Sequence, residues 1–193
     1  MDQTLLSTFI RAHCNMPDQR MQEIASRFHA CTLAKGDHLL REQEVNDRYL
    51  VIGSGWLRSF TIDTEGEEVT TAFSGPGQVV FDADSFFTRT PSKETIFAIS
   101  DVVGFELSFS ELNGLFHEFP EFREMGRAIL VKALVAGKQR MLSMIGESAE
   151  ERYAGLVRSR PALFQHAHLK HIASYLGVTD SSLSRIRKEF VTG

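Results

Sequence analysis

The stretch from Ala30 to Leu107 constrains the fold most, because short apolar runs alternate there with turn residues. Turn signals fall at Lys35-Gly36-Asp37, Gly53-Ser54-Gly55, Asp63-Thr64-Glu65-Gly66 and Gly75-Pro76-Gly77. Between them lie Tyr49–Ile52, Trp56–Ile62, Val69–Phe73 and Thr95–Ile99, rich in β-branched and aromatic residues. Many short strands at this spacing predict an antiparallel barrel or jelly roll.

Helical patterns flank this stretch. Two short amphipathic helices are expected near Gln3–Ala12 and Asp18–Phe28, the second introduced by Pro17. After the strands, Ser108-Phe-Ser-Glu111 has the form of a capping box, and Pro120 fits the first turn of a long helix running to about Ile145. Within that helix Leu130, Leu134, Met141 and Ile145 fall near coiled-coil spacing, beside the small residues Ala133, Ala136 and Gly137. About 26 residues span roughly 39 Å, longer than a barrel of this size needs for packing. A seam between two copies is the functional reading; a helix that only covers the barrel is the plainer one. Gly146 ends the helix, and Ser148 with Glu151 caps the next, Ala149 to about Ser159.

Composition narrows the class. Apolar residues make up 42% of the 193, enough for a buried core, and no run approaches the roughly 18 needed to span a membrane. The opening Met1-Asp-Gln-Thr-Leu-Leu has no basic flank, and the two cysteines, Cys14 and Cys31, form no CxxC pair. The expectation is a cytoplasmic protein with reduced thiols. The net charge of −4 conceals an asymmetry. Residues 1–150 hold 14 Lys/Arg and 22 Asp/Glu, a balance of −8; residues 151–193 hold 7 and 3, a balance of +4. Cationic charge concentrated in one small segment suits phosphate neutralisation, while an acidic body repels DNA elsewhere. A merely solvated basic tail is the competing reading.

The segment from Leu169 to Phe190 separates the two. Leu169, Ile172, Ala173 and Leu176 make one face of a two-turn helix. Gly177 permits the left-handed turn that stops it, and Thr179 is placed to cap a second helix. There Leu183, Ile186 and Phe190 form an apolar stripe, with Ser181, Ser184, Arg185 and Lys188 opposite. Short hydroxyls admit such a helix to a major groove, and Arg185 can reach a guanine edge with two hydrogen bonds. The candidate DNA-binding residues are Lys170, Thr179, Ser181, Ser182, Ser184, Arg185 and Lys188. An ordinary helical hairpin rarely combines a small Ala, a Gly four residues later, buried aliphatics and a basic outer face.

The order of these parts, with the run Ile-Ala-x-x-Leu-Gly-Val-Thr…Leu-Ser-Arg, resembles the Crp–Fnr family of bacterial transcription regulators from about Leu33 to Phe190. The resemblance implies an α+β chain: an N-terminal jelly-roll sensor (1–115), a dimerisation helix (116–146) and a C-terminal helix-turn-helix domain (147–193). It implies a homodimer on a two-fold symmetric double-stranded DNA operator, contact with RNA polymerase and an unidentified small-molecule effector.

Departures from the family are specific. Cyclic-nucleotide-binding members carry Gly-Glu after the barrel glycine and Arg-Ser or Arg-Thr about ten residues later. Here those places hold Phe81-Asp82 and Ser92-Lys93, so the phosphate-pairing Arg is missing. Asp82, Arg89, Ser92 and Lys93 are the candidate ligand residues, with Lys93 or Arg89 as displaced phosphate donors. Two cysteines cannot hold a cubane iron–sulfur cluster, and His29 and His38 lack a haem motif. His166, His168 and His171 have metal-ligand spacing but no carboxylate or thiol nearby in sequence, so phosphate contact or solvent exposure is expected and no metal or cofactor is assigned. Asp180 and Ser181 replace the family's Arg and Glu on the reading helix, and Pro161–His168 is short enough to imply a reduced wing.

Two other classes compete. A jelly-roll metalloenzyme needs several histidines inside the barrel, and between Ala30 and Leu107 there is only His38. A cyclic-nucleotide-binding module controlling a partner protein leaves the basic C-terminal helix pair unexplained.

Overall fold

A computed structural model describes residues 4–192, with the side chains of residues 4–190. Eight strands form two four-stranded antiparallel sheets. The first sheet takes β1 (His29–Leu33), β8 (Val102–Ser108), β3 (Arg48–Ser54) and β6 (Val79–Val80), in that order. The second takes β2 (His38–Leu40), β7 (Thr95–Ala98), β4 (Leu57–Ile62) and β5 (Glu68–Ser74). Four of these strands are the apolar runs read from the sequence, and the two sheets close face to face as the expected jelly roll.

Period-two alternation sorts each strand between layers. Leu50, Ile52, Leu57, Ile96 and Ala98 point between the sheets, where they form the barrel core with Leu39, Leu40 and Val102. The opposite faces are apolar too, so each sheet needs a second cover. Tyr49, Val51, Phe105 and Leu107 on the first sheet are buried under α1 (Thr4–His13), α2 (Asp18–Ala25), α4 (Phe109–Glu118) and the start of α5 (Pro120–Gly146). Trp56, Phe73 and Ile99 on the second are buried under the C-terminal helices. Three cores thus lie in series across the molecule.

The helix signals work locally as chemistry requires. Ser108 and Glu111 complete a reciprocal capping box on α4, and Ser148 and Glu151 do the same for α6 (Ala149–Ser159). Pro120 is the first residue of α5, where its missing N–H costs no bond. Of the first expected helix, Gln3 lies outside the described residues. The second ends at Ala25 rather than Phe28, because β1 begins at His29. A short helix, α3 (Ala83–Thr88), carries no strong sequence signal and sits inside the barrel stretch. Pro161–Gln165 is a 3-10 turn, and among the described residues no strand follows β8, so the reduced wing has no strand in it. No helix of the described residues is long and apolar enough to cross a membrane.

Two turn glycines differ in what surrounds them. A Cβ at Gly55 (φ +89°) meets the Asp101 carbonyl oxygen at 2.1 Å, whereas one at Gly66 (φ +87°) meets nothing within 4 Å. Gly66→Ala should cost only left-handed strain, about 1–2 kcal/mol. Gly55→Ala adds a backbone overlap and should cost more than about 4 kcal/mol. Urea unfolding of the two variants checks the ranking; equal losses would mean that the β3–β4 turn is not held as described.

Candidate nucleic-acid interface

Two helices form the C-terminal motif, α7 (Leu169–Leu176) and α8 (Asp180–Thr192). Ile172, Ala173 and Leu176 are buried, and Ala173 lets α8 cross closely. Gly177 adopts φ +69°, and its N–H and that of Val178 return to the carbonyls of Ser174 and Ala173. Thr179 Oγ1 then accepts the Ser182 N–H at 3.3 Å, which caps α8. Leu183 and Ile186 are buried against Tyr153, Leu156 and Leu163. Ser181, Ser184, Arg185, Arg187 and Lys188 are left exposed.

The predicted residues therefore separate into groups. Ser181, Ser184, Arg185 and Lys188 lie on the exposed surface of α8, and Arg185 makes no ion pair among the described residues. Thr179 and half-buried Ser182 act first as cap and capped residue. Lys170 lines a groove with Glu67, Glu68 and Asp180, so carboxylates surround it. Two residues expected in the apolar faces are not buried. Leu169 is 40% exposed, because Leu163 and Ala167 of the preceding turn close that end of the core. Phe190, 47% exposed, lies at the rim with its ring edge-on to Tyr153 at 5.3 Å.

The histidine cluster is split rather than assembled. His166 stacks on Trp56 at 6.4 Å, His168 is exposed, and His171 is buried. Among the described residues no group of three potential ligands is placed to hold a metal ion. The expectation of solvent or phosphate contact fails for His171, because α7 turns that side chain onto the second sheet. There the edge strand β5 is covered by the motif itself. The Thr70 N–H donates to Ser174 Oγ at 2.9 Å, Ser174 Oγ reaches the Glu68 carbonyl at 3.3 Å, and Arg160 Nη1 donates to the Phe73 carbonyl at 2.7 Å.

A charge network that sequence reading missed crosses this contact. Arg58 is 1% exposed; its Nε donates to Thr70 Oγ1 at 2.8 Å and its Nη1 to Glu68 at 2.5 Å, and the guanidinium lies 4.6 Å from the Phe60 ring centre. His171 Nε2 stands 4.0 Å from the Glu68 carboxylate, and its Nδ1 has no partner. Burial first, then the charges of Arg58 and Lys170, lower the His171 pKa to about 4, against the opposing pull of Glu68. The only hint in sequence is Arg58 itself, a charge within the run Trp-Leu-Arg-Ser-Phe.

The barrel cassette is closed upon itself. Asp82 caps α3 by accepting the Asp84 N–H, and buried Ser92 donates to Asp82 Oδ2 at 2.6 Å. The Asp82 N–H goes to Asn46 Oδ1 at 2.7 Å, and the Asn46 N–H to Ser85 Oγ at 2.8 Å. Asp82 and Ser92 are thus brought together. Arg89 is tied elsewhere, to the Asn46 carbonyl and the Asp47 carboxylate, both at 2.8 Å, and over the Phe109 ring at 4.5 Å. Lys93 is exposed. Phe81 fills space against Tyr49 and Phe86, each ring 5.2 Å away. His29, considered for haem, pairs with Glu111 at 2.6 Å.

Comparison with known proteins agrees with this layout. Residues 30–119 match the cyclic nucleotide-binding domain family. Over 173 residues the chain is 25% identical to the transcriptional activator protein Anr of Pseudomonas protegens, covering 82% of this chain and 68% of that protein. Its fold is similar to that of FixK2 from Bradyrhizobium japonicum, with a TM-score of 0.73 at 19% identity over 86% of this chain and 85% of that one. The catabolite activator protein of Thermus thermophilus is similar with a TM-score of 0.58 at 19% identity, over 92% and 85% of the two chains. Over most of its length the chain is thus similar to bacterial transcription regulators of the Crp–Fnr type, and residues 30–119 carry the cyclic nucleotide-binding domain fold.

His171 makes the contact sensitive to acid. Its pKa falls from 6.5 in the unfolded chain to about 4 in the folded one, so the unfolded state binds the extra proton between those values. Its contribution is whole above about pH 6.5 and is lost as pH falls toward about 4. Relative to its value at pH 7.5, the stability of the wild type should drop by about 1–3 kcal/mol more than that of His171→Gln by pH 4.5. Parallel pH profiles of the two proteins would remove His171 from the account.

Proposed function

We propose that this chain is a homodimeric, sequence-specific DNA-binding regulator that reads a two-fold symmetric operator with α8. The observation that carries the reading is the division of α8. Leu183 and Ile186 anchor one side, while Ser181, Ser184, Arg185 and Lys188 stay exposed. A regulatory module acting only on a partner protein has no use for such a helix. Arg185 is assigned a guanine in each half-site, and Lys188 a backbone phosphate.

Dimerisation is supported by α5, which leaves Leu130, Leu134, Met141 and Ile145 exposed at 39, 74, 55 and 78%. Large aliphatic side chains in that row suit a second copy of the same helix. Domain boundaries near residues 115 and 147 follow, with the barrel as sensor and RNA polymerase as the further partner. A cyclic nucleotide is not the barrel's effector: Ser92 and Asp82 satisfy one another, and the Arg89 guanidinium is taken by the Asn46 carbonyl and the Asp47 carboxylate.

Leu134→Glu should shift the protein toward monomer by placing charge in an apolar seam, as light scattering reports; a monomeric wild type at micromolar concentration would refute the dimer. Arg185→Ala should relax preference at one position of each half-site, a loss of about 1–3 kcal/mol of discrimination. Lys188→Ala should weaken all sequences alike and lower the salt slope by about one per subunit. Selection from a random DNA pool distinguishes the two; an unchanged consensus for Arg185→Ala overturns its assignment. In calorimetry, cyclic AMP and cyclic GMP should give no micromolar binding.

A further inference from the structure

Away from α8, three guanidinium groups converge on one groove. Arg140 comes from α5, Arg152 from α6, and Arg160 from the residue that ends α6. The groove has a volume of about 210 Å³ and runs between the C-terminal ends of α5 and α7 and the face of α6. All three arginines are half-buried.

Neutral acceptors hold them in place. Arg140 Nη2 donates to the Tyr175 carbonyl at 3.0 Å, and its guanidinium lies 3.7 Å from that ring's centre. Arg152 donates from Nε and Nη2 to the Leu176 carbonyl at 3.1 and 2.9 Å, and from Nη1 to the Glu147 carbonyl at 2.6 Å. Arg160 donates to the Phe73 carbonyl. None of the three forms an ion pair with a carboxylate among the described residues. The Glu147 carboxylate also lines the groove and accepts from Ser143 Oγ, so the three guanidinium groups face one negative charge there.

Capping explains part of this arrangement, since Tyr175 and Leu176 carry carbonyls of the last turn of α7. The C-terminal ends of α5 and α7 amount to about one negative charge together, and the Glu147 carboxylate adds a second. Three oriented cations, each guanidinium with five N–H groups of which Arg140 and Arg160 use one, exceed that need.

We propose that this groove is an anion site for a phosphate group, free or at the end of a small phosphomonoester. Fixed guanidinium forks suit phosphate oxygens, and the small volume excludes a dinucleotide. A phosphate there bridges α5 to α6 and, through Arg160, to β5. It would thereby set the angle of the DNA-binding helices. The site is independent of the DNA-binding reading, because it is tested without DNA.

The test titrates the full-length wild-type protein with inorganic phosphate and, separately, glycerol 3-phosphate, at constant ionic strength in chloride. Saturable binding of one anion per chain is expected from at least one of the two, and the stronger arm identifies the source. Arg152→Gln and Arg160→Gln should each weaken it about tenfold or more, the loss of one charge-assisted contact. Arg140→Lys should weaken it less, since charge remains and the planar fork is lost. Arg158→Gln, exposed and outside the groove, should leave it unchanged. Should the groove variants fail to fold, amide shifts of the wild type decide. Movement at Tyr175–Gly177 supports the site. Movement confined to Lys170 and α8, non-saturable binding, or equal weakening by Arg158→Gln overturns it.

Discussion

The outer face of the second sheet, with its open edge at β5, is the constraint on which the arrangement depends. Trp56, Phe73 and Ile99 point away from the barrel core and are buried only because α6, α7 and the intervening turn lie on them. An uncovered edge strand also offers unpaired backbone groups to other chains. Here Ser174 and Arg160 answer three of those groups. The C-terminal helices are therefore part of the barrel's own packing as well as an appendage of it. The second sheet and α7 are joined directly by the Ser174 hydroxyl, which meets the backbone of Glu68 and Thr70.

Arg58 gives this contact its polarity. Removing a guanidinium from water is expensive, and Glu68, Thr70 and the Phe60 ring offset that expense only while all of them stay in place. His171 completes the enclosure as a neutral ring, since burial disfavours its charged form and a second cation beside Arg58 would also be repelled. Removing one partner from such a network leaves an uncompensated buried charge, which is far more costly than the intact network is stabilising.

The barrel cassette illustrates a related economy. In place of a phosphate-pairing Arg there is Ser92, and its hydroxyl turns inward to the Asp82 carboxylate. Asn46 and Ser85 extend the same chain of bonds, so the polar atoms at the barrel mouth satisfy each other. Phe81, packed among aromatic neighbours, occupies space where backbone would have to approach a ligand. The barrel fold is kept with the polar atoms of this mouth closed by internal hydrogen bonds.

Much of this was legible in the residues because the deciding interactions are local. Alternation in β3, β4, β5 and β7, the boxes at Ser108 and Ser148, Pro120 at a helix start and the left-handed turn at Gly177 each depend on neighbours within a few positions. The exposed surface of α8 follows from the spacing of Leu183 and Ile186 in the same way. Tertiary structure alone decided that His171 is buried beside Arg58, that Arg89 is tied to Asn46 and Asp47, and that Arg140, Arg152 and Arg160 share one groove. Each of those outcomes depends on contacts between residues tens of positions apart, Arg58 with His171, Arg89 with Asp47, and the three arginines with Tyr175, Leu176 and Phe73, where no helical or strand period relates one side chain to another. They are settled by which surfaces must leave water together, and that is a property of the packed chain.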